Sequence, residues 1–420
     1  MAAIGAAMLT SVTGLPAAGL AAAPRAVTWR SVEVLAPLNA RADPIATLDT
    51  VACADAGSCA GGGSYESRSG AFEPMVVTEA RGIWKRAQEL RLPGNAFAAN
   101  PDASVTSVAC TGPGSCVAVG GYAYDSAALD HAFDVAESHG VWGRARQVTL
   151  PANAAIGGTD ATLGAVTCTS AGSCVAVGGY GDKAGGQELM AVTEAQGRWG
   201  QAVQIAAPVN AAASGGSLDG VSCWRPGYCS AVGTYADASH RGEALATAES
   251  KGLWARAIQI AAPPNAGPDP GGQLTGVACS PAGSCVAVGG YFDKSAAAHA
   301  MVAAGSQRGW ARATEIKAPP ASGFVAPFLH GISCVAAGTC EAAGGYLDNF
   351  AGVPMAVTRL EGTWGPAVSV PVPANALTGR FRDATLLSVA CLKGAVCTAL
   401  GWYVDKSNQQ EAMAAIRSAP

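Results

Sequence analysis

Fourteen cysteines are regularly spaced along this chain of 420 residues. They form seven pairs whose two members stand six positions apart, and the pairs recur every 55 to 58 residues with no cysteine left over. The pairs are Cys53/Cys59, Cys110/Cys116, Cys168/Cys174, Cys223/Cys229, Cys279/Cys285, Cys334/Cys340 and Cys391/Cys397. A repeat of this length and regularity indicates one supersecondary unit copied in series, and it constrains the fold more than any local pattern does.

Each unit has the pattern of four short strands. In the third unit the first two strands are predicted at 163–168 and 174–180, the third at 190–193 and the fourth from 199 to 208. Runs of Val, Thr, Tyr and Trp bounded by Gly, Pro, Asn and Asp favour strands joined by tight turns. Four-stranded units of this length are the size of propeller blades. The sequence therefore predicts an all-β fold, a seven-bladed β-propeller with four antiparallel strands per blade.

The two ends of the chain predict how the ring closes. The seventh unit lacks its fourth strand, and residues 26–37 match the fourth strand of the other units. We therefore expect the N-terminal strand to complete the last blade, since closure removes open sheet edges. The prediction is a single propeller over 24–420, with blades near 45–92, 103–150, 160–208, 216–263, 272–319, 327–373 and 384–420 plus 26–37.

The cysteine pairs are predicted to be hairpin disulfides, one per blade. A five-residue turn brings the two residues opposite each other on neighbouring strands, which suits the Cα separation of about 4.4–6.8 Å that disulfides need. In the chain-entropy model so short a loop contributes about 2 kcal/mol. Zinc binding is disfavoured because zinc ligands usually come in groups of four at shorter spacings, often with histidine.

The N-terminal residues and the cysteines indicate the same compartment. Residues 1–23 are almost wholly small and apolar and end in three alanines, which predicts a secretory signal peptide, although no Lys or Arg precedes the apolar run. No later stretch is long and apolar enough to span a bilayer. Disulfides belong to oxidising environments. We expect a secreted or extracytoplasmic protein.

Composition restricts the partners. Charged residues make up 13% of the chain and the net charge is −4, so there is no basic stripe for nucleic acid. The remaining partners are a glycan or another extracellular protein, with the chain itself a monomer.

A second repeat, Gly-x-Trp, marks the turn between the third and fourth strands. It occurs as Gly82-Ile83-Trp84, Gly140-Val141-Trp142, Gly197-Arg198-Trp199, Gly252-Leu253-Trp254 and Gly362-Thr363-Trp364, with a shorter form at Gly309-Trp310. The motif resembles a degenerate Asp-box, the bacterial neuraminidase repeat that occupies this hairpin in sialidase-like propellers. The resemblance implies a secreted bacterial propeller with a link to carbohydrate. The aspartate of the motif is absent here. Sialidase-like catalysis also needs an arginine cluster, a tyrosine nucleophile and acidic partners, none of which this sequence matches residue by residue, so the resemblance assigns no catalytic residue.

Features that occur in every unit are more simply structural than functional. The recurring tryptophans are predicted to pack between blades. The asparagine of Pro-x-Asn-Ala is predicted to cap a turn through its side-chain amide, at Asn39, Asn95, Asn153, Asn210, Asn265 and Asn375.

An acidic residue follows every second strand. The seven are Glu66, Asp125, Asp182, Asp237, Asp293, Asp348 and Asp405. A ring of carboxylates on one face could bind calcium or a cationic ligand. Turn hydrogen bonding is the favoured interpretation, because no Asp-x-Asp-x-Asp calcium loop accompanies them. We expect no cofactor or metal, and calcium is the one ion that this ring would suit.

Positions that vary from unit to unit are better functional candidates. The second residue of the first strand is Asp49, Thr106, Gly164, Asp219, Thr275, His330 and Leu387 in successive units. If the first strand lines the axis, these residues surround one mouth of the channel. Asp49, Asp219 and His330 are then the candidates for acid–base chemistry, and Thr106 and Thr275 join them as candidates for ligand binding.

Two further variable features are present. The position before the third strand holds Glu73, His131, Glu188, Glu243, His299, Val353 and Glu411, which seven blades would separate too widely for one site. In the fourth unit the cysteine turn reads Trp224-Arg225-Pro226-Gly227-Tyr228 instead of small residues. Exposed Trp224, Arg225 and Tyr228 would suit a protein or sugar contact on the face opposite the channel mouth, and a locally packed turn is the alternative.

These observations favour an extracellular binding or scaffold propeller whose ligand is a glycan or a protein. The alternative is a secreted glycan-active enzyme, a glycoside hydrolase or lyase, with Asp49, Asp219 and His330 at the channel mouth. A hydrolase would need two carboxylates about 5–9.5 Å apart. A purely structural cell-surface protein is the second alternative, and the fold alone does not decide among the three.

Overall fold

The structure is a computed structural model that describes residues 28–125, 130–155, 160–321, 323–393 and 396–417. Seven antiparallel sheets follow one another around the ring, and in six of them the strands lie in sequence order. The innermost strands contact one another in a closed cycle, the first touching the second and the seventh touching the first. The predicted seven-bladed β-propeller is confirmed. The predicted signal peptide over 1–23 lies outside the described residues.

Three strands of each blade are long and regular. The innermost strands are Thr47–Asp55, Ser104–Gly112, Thr162–Ser170, Ala211–Arg225, Gln273–Cys279, Phe328–Ala336 and Ala384–Leu392. The second strands are Ser58–Glu66, Ser115–Ala123, Ser173–Gly181, Tyr228–Asp237, Ser284–Phe292, Thr339–Asp348 and Val396–Val404. The third strands are Phe72–Ala80, Asp130–Ser138, Gln187–Ala195, Gly242–Ser250, Ala298–Ser306, Ala351–Leu360 and Gln410–Arg417.

The fourth strand is interrupted in six blades, which the sequence pattern did not predict. Its two pieces both pair with the third strand of the same blade. They are Ile83–Trp84 with Gln88–Glu89, Val141–Trp142 with Arg146–Gln147, Arg198–Trp199 with Val203–Ile205, Leu253–Trp254 with Ile258–Gln259, Gly309–Trp310 with Thr314–Ile316, and Thr363–Trp364 with Val368–Ser369. One 3-10 turn, Gly379–Phe381, precedes the last blade. No helix among the described residues is long and apolar enough to cross a membrane.

The ring closes as predicted, through the N-terminal strand. Trp29–Val34 pairs antiparallel with Gln410–Arg417 and is the outermost strand of the seventh blade. In this blade the fourth strand is continuous.

The hydrophobic core consists of seven clusters, one between each pair of adjacent blades. Strands in the middle of a blade are covered on both faces, so neighbouring residues such as Met75 and Val76 enter different clusters. This explains continuous apolar runs where a half-exposed strand would alternate. The recurring tryptophan of each blade packs against the cluster shared with the preceding blade, as Trp199 does between blades 2 and 3.

All fourteen cysteines form the predicted disulfides, one per blade. The two half-cystines of each are directly opposed on the first and second strands. The bonds are Cys53–Cys59, Cys110–Cys116, Cys168–Cys174, Cys223–Cys229, Cys279–Cys285, Cys334–Cys340 and Cys391–Cys397. The Cα atoms lie 4.0 Å apart in six blades and 4.1 Å apart in blade 7, just below the expected range, because directly opposed residues are the closest pairs of an antiparallel ladder.

The disulfides belong to the core and not to a binding surface. The half-cystine on the second strand is buried in every blade, at Cys59, Cys116, Cys174, Cys229, Cys285, Cys340 and Cys397. Its partner on the first strand is half-buried. Six of these seven buried half-cystines pack in the cluster shared with the preceding blade, as Cys59 does beside Leu48 and Cys116 beside Val105. The buried half-cystines are therefore part of the structural core.

The prediction that the asparagines of Pro-x-Asn-Ala cap their own turn is wrong, because their side chains form hydrogen bonds with other strands instead. In blade 1 the Tyr65 hydroxyl donates a hydrogen bond to Asn39 Oδ1 (2.9 Å), and Asn39 Nδ2 donates to Glu89 Oε2 (2.6 Å). The same tyrosine–asparagine bond occurs in five other blades. The asparagine thus ties the connection between blades to the second and fourth strands.

Candidate functional site

A β-bulge places the variable residue of each innermost strand. In blade 1 the register passes from Leu48 opposite Gly63 to Thr50 opposite Gly62, so Asp49 is the extra residue. The same shift occurs at the corresponding residue of every blade. A bulge turns a side chain away from the regular alternation of a strand. Here it lies near the end of the strand that receives the connection from the preceding blade.

A glycine on the second strand makes the bulge sterically feasible. A Cβ atom at Gly63 would overlap the backbone carbonyl of Thr47, and one at Gly178 would overlap that of Thr162. The equivalent glycine has the same close approach in all seven blades. The repeated glycines are therefore needed for close backbone packing, and through it they position the residues of the channel.

The seven bulge residues line one cavity on the axis. The cavity has a volume of about 390 Å³. The next two residues of each innermost strand also line it. Two of the seven, Thr106 and Thr275, use their hydroxyls within the protein: Thr106 donates to the carbonyl of Leu163 (2.5 Å) and Thr275 to that of His330 (2.9 Å). These bonds join adjacent innermost strands, so the two threonines serve the ring as well as line the cavity.

Asp49, Asp219 and His330 are the ionisable groups among the seven. Asp49 accepts a hydrogen bond from Ser104 Oγ (3.1 Å), and Asp219 accepts one from Ser217 Oγ (2.9 Å). Since a carboxylate can accept about four hydrogen bonds, both retain acceptor capacity toward the cavity. The His330 ring packs against Phe328, with centroids 4.7 Å apart, and no hydrogen bond joins its nitrogens to another described residue.

The enclosing walls change the protonation of these groups. Burial raises the pKa of Asp49 to about 6, against the opposing effect of the Ser104 hydroxyl, and burial also raises the pKa of Asp219. Burial lowers the pKa of His330 to about 4. At neutral pH the cavity therefore presents an Asp49 carboxyl that is mostly ionised and an uncharged His330 imidazole, while burial shifts Asp219 toward its neutral form.

The ring spreads these groups around the axis and does not pair them. Asp49 and Asp219 belong to blades 1 and 4, which are three steps apart, the largest separation in a ring of seven. His330, on blade 6, is two steps from each. No three carboxylate or imidazole groups of the described residues come close enough to hold one metal ion at this mouth. The arrangement suits contacts to several sides of a ligand better than attack on one bond.

Two exposed phenylalanines on the same face were missed by the sequence analysis. Phe324 lies in the connection entering blade 6 and Phe350 follows its second strand, and their rings stack with centroids 5.7 Å apart. Phe350 is 76% exposed and Phe324 49%. The sequence signal was Phe350 itself, an apolar aromatic residue just after the second strand. In the structure it lies in a turn with a left-handed φ of 72°.

The ring of acidic residues is engaged by its own turns. In blades 3, 4, 5 and 7 one carboxylate oxygen accepts backbone N–H bonds from residues two and four positions later, as Asp182 does from Ala184 and Gly186. Glu66 and Asp348 pair with Arg41 (2.5 Å) and Arg382 (3.5 Å). Turn formation therefore accounts for most of this ring.

The second variable position is dispersed, one residue per blade. Each member lies opposite the buried tyrosine of the second strand, as Glu73 lies opposite Tyr65 and Glu411 opposite Tyr403. Burial, with Glu89 nearby, raises the pKa of Glu73 to about 7, and burial with Glu33 does the same for Glu411. These carboxyls belong to separate tyrosine–asparagine networks and form no common site.

The Trp224 turn lies at the other end of the ring, between the first and second strands of blade 4. Trp224 and Tyr228 are half-buried and Arg225 is exposed. The Arg225 guanidinium carbon lies 3.8 Å from the centroid of the Tyr228 ring. The three predicted residues are thus in mutual contact, on the face opposite the channel mouth.

Comparison with known proteins identifies the fold and no family. No protein family matches the chain, and no curated protein does. An ulvan lyase of polysaccharide lyase family PL25 superposes with a TM-score of 0.51 at 8% identity, over 92% of this chain and 93% of the lyase. A protein of unknown function from Dyadobacter fermentans gives 0.48 at 12% identity, over 93% and 99%.

Trypanosoma rangeli sialidase gives a TM-score of 0.48 at 11% identity, and the match spans 93% of this chain but 59% of the sialidase. At such low identity the likeness to the ulvan lyase shows the fold alone. The Asp-box resemblance stays a prediction.

Proposed function

We propose that this chain is an extracellular carbohydrate-binding propeller that holds a neutral or amino sugar at the channel mouth. The observation that supports this most directly is the convergence of seven bulge residues on one cavity in which Asp49, Asp219 and His330 keep hydrogen-bonding capacity. These three are the ionisable residues at a position that differs from blade to blade.

The chemistry of the mouth favours hydroxyl groups as ligands. Carboxylates accept hydrogen bonds from hydroxyls, and a neutral imidazole can both donate and accept. A cavity of about 390 Å³ lies at the lower end of the range for small-molecule sites, roughly 300–1,000 Å³. The mostly ionised Asp49 carboxylate would repel acidic sugars, so the proposal is restricted to neutral or cationic ones.

The surroundings fit an extended glycan. The stacked pair Phe324 and Phe350 presents an exposed aromatic surface on the same face and on the same blade as His330. Flat aromatic groups at low entropic cost are common contact residues in recognition surfaces. The seven disulfides favour secretion, and a structural neighbour, the ulvan lyase, is named for a polysaccharide.

The test is a glycan and polysaccharide array with the purified oxidised protein, followed by titration of the best ligand. Asp49→Asn and Asp219→Asn should each weaken binding at least about tenfold, because each replaces a carboxyl oxygen that accepts hydrogen bonds at the mouth by an amide N–H₂ group. The matched control is Asp55→Asn, which makes the same charge change at the exposed far end of the Asp49 strand. Binding that survives both mouth variants, or no binding to any glycan, would reject the proposal.

Glycan cleavage is the second candidate function, and the pKa of Asp49 near 6 is the observation that favours it. A carboxyl titrating near neutrality suits general acid–base catalysis. New reducing ends or unsaturated products released by wild type and lost in Asp49→Asn would establish an enzyme. Binding without product would leave the binding function, and the absence of both would favour a purely structural protein.

A further inference from the structure

The face opposite the mouth departs from the repeat at two adjacent turns. The first is the Trp224 turn of blade 4. The second is the turn between the third and fourth strands of blade 5, Ser306-Gln307-Arg308-Gly309. In other blades this turn has a left-handed pair such as Gln196 and Gly197, but in blade 5 Arg308 stands at the glycine position and only Gly309 has positive φ.

The altered turn opens a space that is closed elsewhere. In blades 1, 2, 3, 4 and 6 a backbone bond joins the two turns of the blade, as from Gly197 N to Gly172 O (3.1 Å). In blade 5 the Arg308 N–H instead donates to its own turn, to Ser306 Oγ (3.1 Å). The Gln307 amide reaches across to the Glu249 carbonyl of blade 4 (2.9 Å), so the turn is held away from its usual partner.

Trp224 forms one wall of the resulting pocket. A Cβ atom at Gly283 would lie 3.3 Å from Trp224 Cε2, so the indole crosses the cysteine turn of blade 5 at van der Waals distance. The pocket encloses about 370 Å³. Its other walls are Arg225 from blade 4 and Ser284, Ser306 and Arg308 from blade 5.

The charge of the pocket is opposite to that of the mouth. Two guanidinium groups and two hydroxyls line it, and no carboxylate does. Lys251 is a further exposed cation, on the adjacent turn of blade 4. The Tyr228 ring restrains Arg225 by cation–π contact, which reduces the entropy that this long side chain would lose on binding.

We propose that this pocket between blades 4 and 5 is a second glycan site, specific for polysaccharides that carry carboxylate or sulfate groups. Arginine forms paired hydrogen bonds with planar or multi-oxygen anions, and the serine hydroxyls can donate further bonds. The indole offers its apolar face to a sugar ring between two anionic substituents. Because the two sites lie on opposite faces, one molecule can hold two different polysaccharides at once.

Four probes of similar length separate the ligand classes: polygalacturonate, dextran sulfate, neutral dextran and poly-glutamate. The protein is used whole and oxidised, and affinities are read by biolayer interferometry. We expect binding of polygalacturonate, dextran sulfate or both, and the tighter of the two identifies the anionic group. Arg225→Gln and Arg308→Gln should each weaken it at least about tenfold.

The matched control is Arg81→Gln, which removes an exposed arginine from the equivalent turn of blade 1 on the same face. It should change affinity less than about twofold, since an isolated surface charge contributes little. Asp49→Asn should leave polyanion binding intact, which separates this proposal from that for the mouth.

Three results would overturn the second site. The first is an equal loss in Arg81→Gln, which would mean diffuse attraction. The second is poly-glutamate binding as tightly as the glycans, which would mean an acidic polypeptide ligand. The third is no arginine-dependent binding of either polysaccharide. Unchanged thermal unfolding of the variants shows that their folds are intact.

Discussion

The residue opposite the recurring tryptophan differs between two regions of the ring. In blades 1 to 4 it is a buried glutamate, at Glu79, Glu137, Glu194 and Glu249. In blades 6 and 7 it is an arginine, and the one in blade 7, Arg417, is buried. The backbone position is the same in both regions, so the comparison shows how the surroundings compensate for burying a carboxyl or a guanidinium group.

The two regions satisfy a buried ionisable group in different ways. Burial raises the pKa of all four glutamates, which favours the neutral acid. Arg417 instead forms an ion pair with Glu341 of blade 6, whose carboxylate also accepts a bond from the Thr358 hydroxyl (2.7 Å). Burial raises the pKa of Glu341, and Arg417 and Thr358 counteract part of that effect. At this buried position next to a disulfide, the Arg417 guanidinium stays charged because the Glu341 carboxylate compensates for its lost hydration.

The largest effect is expected from breaking the buried pair. Arg417→Met should lower the free energy of unfolding by about 3–5 kcal/mol, because it leaves the Glu341 carboxyl buried without its cation. Arg359→Met, at the equivalent half-buried position of blade 6, is the control and should cost less than about 1 kcal/mol. Denaturant titration measures both. The double variant Arg417→Met/Glu341→Leu should recover most of the loss, and equal losses in single and double variants would contradict the interpretation.

A smaller effect is expected from removing a disulfide in each region. Replacing Cys223 and Cys229 by alanine should cost about 2 kcal/mol, and so should the same change at Cys391 and Cys397. Equal losses would show that each hairpin is stabilised independently of the charge beside it. A much larger loss in blade 7 would mean that the disulfide there also supports the Arg417 ion pair. Denaturant titration of both double variants distinguishes the two outcomes.

The smallest effect is a pH dependence at Glu249. Its carboxyl oxygen lies 3.0 Å from Cys229 Sγ, and since a disulfide sulfur carries no hydrogen, only the protonated acid can donate a hydrogen bond across this contact. Burial raises the pKa of Glu249 in the folded state, so its contribution to stability is complete below the unfolded pKa, about 4.3, and is lost as pH rises through the folded pKa. Glu249→Gln should match wild type near pH 4 and exceed it near pH 8. A constant difference across this range would contradict a neutral acid.

Much of the fold was predictable because the repeat gives the same information seven times. Cysteine spacing indicated the blade number and the hairpin disulfides, and the unmatched segment 26–37 indicated closure. The variable residue of the first strand was also found from the repeat, because a position that differs among otherwise similar copies stands out.

Contacts between unlike residues of different blades could not be predicted in this way. Asn39 contacts a tyrosine and a glutamate that only the fold brings near it. The bulge at Asp49 depends on how two strands pair, which the residue type at position 49 does not indicate. The pocket beside Trp224 needs a second altered turn at Arg308, in the next blade. A repeat period shows which positions share an environment. It cannot show which residues that depart from the repeat lie next to each other in the fold.

Closure through Trp29–Val34 has a consequence for the order in which the molecule is assembled. Its partner strand, Gln410–Arg417, follows the six other blades in the chain, so blade 7 is completed only after they have been made. The disulfides need no such wait, since each joins residues only six positions apart. Hairpins can therefore be cross-linked one by one as the chain emerges, while the ring closes in a final step. Before Trp29–Val34 pairs with it, the edge of Gln410–Arg417 is unpaired, and an unpaired strand edge can pair with another copy of the chain.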